Sequence, residues 1–549
     1  MEYHDGEPLR HMGDLPAMTA DRYGEKTALI GLSGTQSFTE LNRAVDRVGN
    51  VLTAHGFGPG DRIGLFVPNT LQFPSAYFGA MEAGLVPVPL NLRMDRETLG
   101  FVIADARIDC LIASPLLAEQ ATELASASSI GTTFLPGLSD PDAGIVNYSH
   151  ALAEVSTDFD RPERAFDDVA CQPYTSGTTG DPKGVLLTHE NLLTTIESYD
   201  TGGLPIDPDD TGLLVLPLFH IYALNALMGT FLYTGATQVL HPQPEPVPMF
   251  EAIEEHDVTR FAGVPAMYTM LHRTYREAPD AYDLSSLKTA ICAAAPLADA
   301  TRNEIESAWN VRMTEGWGMT ETAPAGTTEP VRGVRKEAGC IGPPVPNIEL
   351  KLADPDSRET IVAPEDLAPT ADRAIDFDKQ RVTGEIAVRG PQVFAGYHDR
   401  PEKTEAVFDD DGWFYTGDIA RVDRDGYFWI VDRADDMMIV GGENVYPAGV
   451  EDALYAHPAV AEAAVVAVAH EVKGEAPVAF VVTETDVDQP TETTLRRFVL
   501  DRVAAYAHPR RVFFVEELPR SATRKVQRFK LETAAADRLD GPLTPSEDL

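Results

Sequence analysis

The sequence predicts an α/β protein with a large N-terminal domain of helix-covered sheets and a small α+β C-terminal domain. Three observations lead there. Helical and extended hydrophobic patterns alternate through the N-terminal half. The rhythm shifts near residue 434 to a compact helix-and-strand unit. And 549 residues are more than one core usually organises.

Phe38, Leu41, Val45, Val48 and Leu52 recur at helical spacing, and Gly58 and Gly60 end that segment. Arg62–Val67 reads as a buried strand, Leu71–Ala83 as a helix and Val86–Asn91 as a strand. Further on, Pro248–His256 is a helix with proline in its first turn, where a missing N–H costs little. Arg260–Gly263 is a strand and Ala266–Tyr275 a helix. Residues 353–383 are acidic, carry Pro355, Pro364 and Pro369, and show no period, so a surface insertion is expected. From residue 434 onward, Pro447–Ala456 and Thr493–Ala505 read as helices. Ala461–Val468, Pro477–Val482 and Arg511–Val515 read as strands. The closing GPLTPSEDL is expected to be a frayed tail.

Charge narrows the function classes. There are 86 acidic residues against 44 basic ones, a formal net charge of -42, and the acids run along the whole chain. Ten of the basic residues are lysine and 34 arginine. An acid-coated surface stays hydrated in concentrated salt, the pattern of a salt-adapted cytoplasmic protein. It repels phosphate backbones, which disfavours nucleic acid as a partner. Cys110, Cys171, Cys292 and Cys340 lie far apart without a C-x-x-C pair, which argues against zinc and against a disulfide framework. The N-terminus, MEYHDGEPLR, lacks a signal-peptide pattern. Gly212–Tyr233 carries no formal charge and reaches membrane length, but Pro217, His220, Tyr222 and Asn225 interrupt it. A buried strand (Leu213–Leu216), a turn at Pro217 and a buried helix are expected there instead of a span.

The most informative string is Tyr174–Val185, YTSGTTGDPKGV. Glycines let backbone N–H groups converge on an anion. Thr175, Ser176, Thr178 and Thr179 add hydroxyls, Gly177 and Gly180 supply the turns, and Lys183 adds a cation. The following LLTHENLLTTI reads as the start of a helix, whose positive end would join the site. The spacing is not that of a Walker A loop, since Gly184 follows the lysine.

This string resembles the signature loop of the adenylate-forming superfamily: acyl-CoA synthetases, firefly luciferase-like enzymes and nonribosomal peptide adenylation domains. Similar motifs follow in order as far as Lys525. In GWGMTET (316–322), the resemblance implies that Trp317 stacks on adenine, Thr320 contacts the α-phosphate and Glu321 holds Mg²⁺. CAAAPL (292–297) is similar to the loop lying along adenine and places Ala294, Ala295 and Pro296 there, with Ala293 where glycine is common. In YTGDI (415–419), Asp418 is assigned to the ribose hydroxyls; in VDRADD, Arg433 to the ribose and phosphate side. Asp435 takes the hinge position, so the resemblance implies a large AMP-binding domain over 1–433 and a small domain over 434–549 with two orientations. In the second, Gly441 and Gly442 would line the pantetheine channel. Lys525, in LPRSATRKVQR, matches the catalytic lysine, with Arg524 where glycine is commoner. An acyl pocket is implied along Pro217–Leu224 with His220 and Tyr222, at Gly263–Tyr268, and at Gly318, whose missing side chain would leave room for an acid larger than acetate. No acid accompanies His220, which argues against an amino-acid substrate.

The implied reaction joins a carboxylic acid to coenzyme A with ATP and Mg²⁺ through an acyl-adenylate, on a medium- or long-chain fatty acid. The alternatives are an aryl acid, or a catalytically silent ATP-binding scaffold of the same fold. The charge pattern carries its own test: melting temperature and activity should rise as KCl is raised from dilute buffer to molar concentration. Full activity and stability in dilute buffer would contradict salt adaptation.

Overall fold

The computed structural model describes residues 9–175, 182–204, 206–279, 281–293, 297, 299–331, 335–337, 339–367, 382–484, 487–520, 526–539 and 541–544. The architecture is mixed α/β, with a large N-terminal part and a smaller C-terminal one. The first helix of the expected alternation is Phe38–Ala54. It starts where the sequence provides a capping box: Ser37 Oγ accepts from Glu40 N at 3.1 Å, and Ser37 N donates to the Glu40 carboxylate at 2.8 Å. Its apolar stripe, Phe38, Leu41, Val45, Val48 and Leu52, is fully buried. At Gly79, on the neighbouring helix Gln72–Glu82, a Cβ would lie 2.5 Å from that of Val48, so the glycine sets how closely the two helices approach.

Strands Arg62–Phe66, Val86–Pro89, Cys110–Ala113, Thr132–Leu135 and Ile145–Asn147 pair in parallel in one five-stranded sheet. An eight-stranded sheet carries Thr289–Ala293 and Arg312–Gly318 side by side and in parallel, with Arg260–Gly263 and Thr211–Leu214 beyond them. Near-continuous apolar runs such as Arg62–Phe66 are what a parallel sheet covered on both faces requires. A third, antiparallel sheet of six strands ends in Phe414–Val422 and Phe428–Arg433. The segment read as strand, turn and buried helix is strand Thr211–Leu214, then π-helical turns Tyr222–Gly229 running into helix Thr230–Thr234. Among the described residues, no helix is long and apolar enough to cross a membrane.

The small unit begins at Met438. Strands Met438–Val440, Glu443–Val445, Val460–His470, Gly474–Thr483 and Arg511–Phe514 form one sheet, with helices Pro447–Tyr455, Glu492–Leu500 and Arg528–Arg538 against it. Helix Glu492–Leu500 stops five residues short of the expected end.

Three expectations are corrected. The glycine-rich string is followed by a strand, Lys183–Thr188, and not by a helix; the helix starts at His189, capped by Thr188. Its positive end therefore lies one strand away from Lys183. Residues 353–383 are not wholly a surface insertion. Ala353 closes one strand of the six-stranded sheet, Thr360–Val362 forms its edge strand, and Val362 and Val382 are buried. The C-terminal residues do not all fray. Leu543 is buried, its N–H donates to Ala469 O, and its carbonyl accepts from Glu471 N, both at 2.9 Å. Leu543→Ala should therefore destabilise the protein by about 2–4 kcal/mol, as removal of a buried leucine does, read as a lower urea midpoint. An unchanged midpoint would return these residues to the solvent.

Candidate active site

Two carboxylates organise the site. Strand Arg312–Gly318 delivers Trp317, and the short 3₁₀ turn Thr320–Thr322 delivers Thr320 and Glu321. Glu321 is buried, and burial pushes its carboxyl up. Three neighbours oppose that shift: the Tyr397 hydroxyl, which donates to Oε1 at 2.9 Å, and the charges of Arg433 and Lys183. Phe394 N donates to the Glu321 carbonyl at 2.8 Å and fixes the turn. Tyr397 sits on Gly396–Tyr397, the antiparallel partner of Lys183–Thr188, so Val185 faces Tyr397 across the ladder. From that strand, Lys183 Nζ lies 5.1 Å from the Tyr397 ring centroid, within cation–π range.

The second carboxylate is Asp418, also buried, on strand Phe414–Val422. Trp317 Nε1 donates to its Oδ2 at 2.8 Å, and Arg433 Nη1 pairs with its Oδ1 at 2.9 Å. Asp418 and Arg433 are direct partners across their two strands. Gly326 leaves room for the indole, since a Cβ there would lie 2.6 Å from the Trp317 ring. Four chain segments thus bring Lys183, Trp317, Glu321, Asp418 and Arg433 to one place. A carboxylate that still has lone pairs, beside an aromatic face, suits a nucleoside; a buried carboxylate flanked by cations suits a metal–phosphate group.

Thr175 and Lys183 are register partners, and residues 176–182 lie between them in the chain. Ser176, Gly177, Thr178, Thr179 and Gly180 fall outside the described residues, as do Ala294, Ala295, Pro296 and Lys525. The backbone of Asp435 lies in the 3₁₀ turn Ala434–Asp436. Gly441 and Gly442 have φ of +65° and +90° and join strands Met438–Val440 and Glu443–Val445, so their first requirement is a tight hairpin turn.

His220 and Tyr222 follow the Pro217 turn, whose position is pinned by Asn69. Its amide donates to Leu214 O and Leu216 O, and its oxygen accepts from Leu218 N at 2.9 Å. Burial pushes the phenols of Tyr199, Tyr222 and Tyr268 up. Tyr222 and Tyr268 both feel Cys292, so these groups share one buried region. Gly263 faces it too, a Cβ there lying 3.0 Å from the Phe261 ring and 3.2 Å from the Tyr268 ring.

Gly318 corrects the sequence reading. A Cβ at this position would lie 1.7 Å from the Pro324 carbonyl oxygen. The missing side chain makes room for backbone, not for an acyl chain. Sequence reasoning also missed Tyr397 and Asn69. Tyr397 lies 76 residues from Glu321, and Asn69 145 from Leu214, so no local pattern points to either.

A model of the family described as AMP-binding enzyme matches residues 17–398, and one for the AMP-binding enzyme C-terminal domain matches 449–525. Feruloyl-CoA synthase of Amycolatopsis sp is 35% identical over 94% of this chain and 96% of its own. The long-chain-fatty-acid–CoA ligase of Bacillus subtilis is 31% identical over 95% and 94%. ATP-bound MatB from Rhodopseudomonas palustris superposes with a TM-score of 0.83 at 30% identity, covering 96% of this chain and 99% of that one. The apo form of MatB gives 0.73 at the same identity and coverage.

The Gly318 geometry predicts that Gly318→Ala lowers stability by about 1–3 kcal/mol, the usual cost of overpacking, measured by thermal or urea unfolding. A neutral substitution would restore the open-volume reading.

Proposed function

The chain belongs to the AMP-binding enzyme family as an ATP-dependent, AMP-forming CoA ligase, and we propose that its acid is a medium- or long-chain fatty acid. ATP and coenzyme A are the co-substrates, with Mg²⁺ general to the family. The observation that carries the residue assignments is the convergence of Lys183, Glu321, Asp418 and Arg433 around Trp317 and Tyr397.

The proposed chemistry has two displacements. The acid's carboxylate oxygen attacks the α-phosphorus of ATP, an O–P bond forms, and pyrophosphate leaves. Charge gathers on the α-phosphate oxygens, so catalysis is electrostatic and positional. Trp317 supplies a face for adenine and Asp418 accepts from ribose hydroxyls, with Arg433 beside it on the phosphate side. Thr320, Lys183 and the 175–180 segment take the phosphates, with Ala294, Ala295 and Pro296 along the adenine. The donor set around Glu321, a desolvated carboxylate beside cations, fits a magnesium–phosphate group, and Glu321 would hold Mg²⁺, which neutralises phosphate charge. Lys525 bridges the attacking oxygen and the α-phosphate. The coenzyme A thiol then attacks the acyl carbonyl, the C–O bond to AMP breaks, and the thioester forms past Gly441 and Gly442.

We place the domain boundary at 433/434 and the hinge at Asp435. This is supported by the six-stranded sheet ending at Arg433 and the small sheet starting at Met438. The described orientation of the small domain is read as the adenylating one, which the greater likeness to ATP-bound than to apo MatB supports. The fatty-acid reading rests on the uncharged run Gly212–Tyr233, its buried Leu218, Ile221 and Leu224, and the Bacillus subtilis relative. An aryl acid is the second reading, favoured by Tyr199, Tyr222 and Tyr268 around the same region and by the feruloyl-CoA synthase likeness. His220 is read as gating this pocket. A salt-adapted, cytoplasmic setting is proposed from the acidic composition alone.

The deciding assay is pyrophosphate release with Mg-ATP over acids from acetate to palmitate, plus benzoate and cinnamate, with acyl-CoA followed in parallel. Palmitate-class acids should give the highest kcat/KM; a cinnamate optimum transfers the chain to the aryl reading. ATP binding without release on any acid would leave the silent scaffold. In the same assay Lys525→Ala should slow adenylation by roughly 10²–10³-fold, the scale of one preorganised electrostatic group. Thioester formation from supplied acyl-AMP should survive better; equal loss of both would remove Lys525 from its role.

A further inference from the structure

Helix Pro447–Tyr455 opens the small domain's packing without a cap of its own. The residue before it, Tyr446, does not cap the helix with its side chain, and Pro447 has no N–H to give. The next donor, Ala448 N, needs an acceptor, as free N–H groups at a helix start do. That acceptor comes from the large domain's last strand: Asp432 Oδ2 accepts from Ala448 N at 2.8 Å. Asp432 is fixed in Phe428–Arg433 by pairing with Ile419, and its Oδ1 accepts from Arg433 N at 2.8 Å. The carboxylate is buried, so this bond is made away from water. It also meets the positive end of the helix dipole.

The surroundings reinforce the arrangement. Burial pushes the Asp432 carboxyl up to about 6; the Ala448 and Arg433 N–H groups and the charge of Arg528, at the start of helix Arg528–Arg538, oppose that shift, whereas Glu451 adds to it. Arg528 is in turn held by Glu451, at 2.5 and 3.2 Å, by Val465 O at 2.8 Å and by Asp436 at 3.2 Å. A guanidinium in the first turn of a helix opposes that helix's dipole, so its place is decided by these partners. Glu451 and Val465 belong to the small domain, and Asp436 lies one residue past the proposed hinge. Asp432 lies three residues before it. A rotation at residue 435 would keep the Arg528 contacts and break the Asp432–Ala448 bond.

We propose that Asp432 is a positioning residue that locks the small domain in its present orientation by lending a cap, across the hinge, to helix Pro447–Tyr455. The inference rests on the two-orientation reading given above. Asp432 touches no reacting atom and acts through the helix. Leaving this orientation uncovers the Ala448 N–H, so the lock biases the enzyme toward the adenylating half-reaction.

The test compares the full-length wild type with Asp432→Ala and Asp432→Asn. Adenylation is followed by pyrophosphate release, and the second half-reaction by thioester formation from supplied acyl-AMP and coenzyme A. In Asp432→Ala, adenylation should fall roughly five- to tenfold relative to thioester formation, the scale of losing a helix cap. Asp432→Asn should recover most of the difference, because its amide oxygen can accept the Ala448 N–H. Tryptic cleavage after Arg433, run without substrates, should quicken by a similar factor in Asp432→Ala and not in Asp432→Asn. Equal loss in both half-reactions, or no change in their ratio, overturns the lock. Should the wild type release no pyrophosphate with any acid, the ligase reading fails instead. The cleavage rates then decide the lock alone, and equal rates in all three proteins overturn it.

Discussion

A carboxylate taken out of water must be given donors, and the candidate site is arranged around two that are. Glu321 receives the Tyr397 hydroxyl, and Asp418 receives the Trp317 indole and the Arg433 guanidinium. Unpaired, either would neutralise or force the fold apart. The need to satisfy them therefore fixes four segments relative to one another: the strand after the glycine-rich string, the strand ending at Gly318, the Gly396–Tyr397 strand and the Phe414–Arg433 hairpin. In the proposed assignment, recognition of a nucleotide and stability of the fold use the same contacts.

The strand bearing Trp317 is anchored by a further buried charge group. Arg302 Nη1 reaches Glu315 at 3.2 Å, and Nη2 reaches Glu329 at 2.8 Å, with all three side chains buried. Glu315 also accepts from Gly339 N at 3.1 Å, and burial raises its carboxyl to about 7. Arg302 Nη2 also donates to Met313 O at 3.1 Å; the rigid planar fork holds these acceptors in fixed directions, whereas a lysine ammonium is a compact charge on a flexible stem. In a chain with 34 arginines and ten lysines, the interior networks around Asp418, Asp432 and Glu315 all use arginine. Lys183 is used differently, as a compact charge over an aromatic ring.

The elements were largely legible because their causes are local. The Ser37–Glu40 capping box, the stripe from Phe38 to Leu52 and the apolar Arg62–Phe66 run are written within a few residues of where they act. The errors fell where a distant partner decides. Lys183–Thr188 is a strand because Val169–Cys171, Tyr174–Thr175 and Gly396–Tyr397 pair with it. Thr360–Val362 is extended because Leu352 and Ala353 accept it as an edge. Leu543 is buried because His470 and its neighbours pair with it.

From the sequence alone came the fold class, the two-part organisation and, through the family resemblance, the list of chemical groups: a glycine-rich string read as anion-binding, an aromatic–threonine–glutamate string, an aspartate, an arginine and two lysines. These are readable because each motif keeps its chemistry within a contiguous stretch. Only the tertiary structure decided which donors hold Glu321 and Asp418, that Pro324 and not an acyl chain fills the space at Gly318, and that Asp432 caps a helix beyond the proposed hinge. The longest of these contacts, from Trp317 to Asp418, joins residues 101 positions apart. A pairing at that range leaves no periodic trace, since it is set by how sheets stack and not by what lies next in the chain.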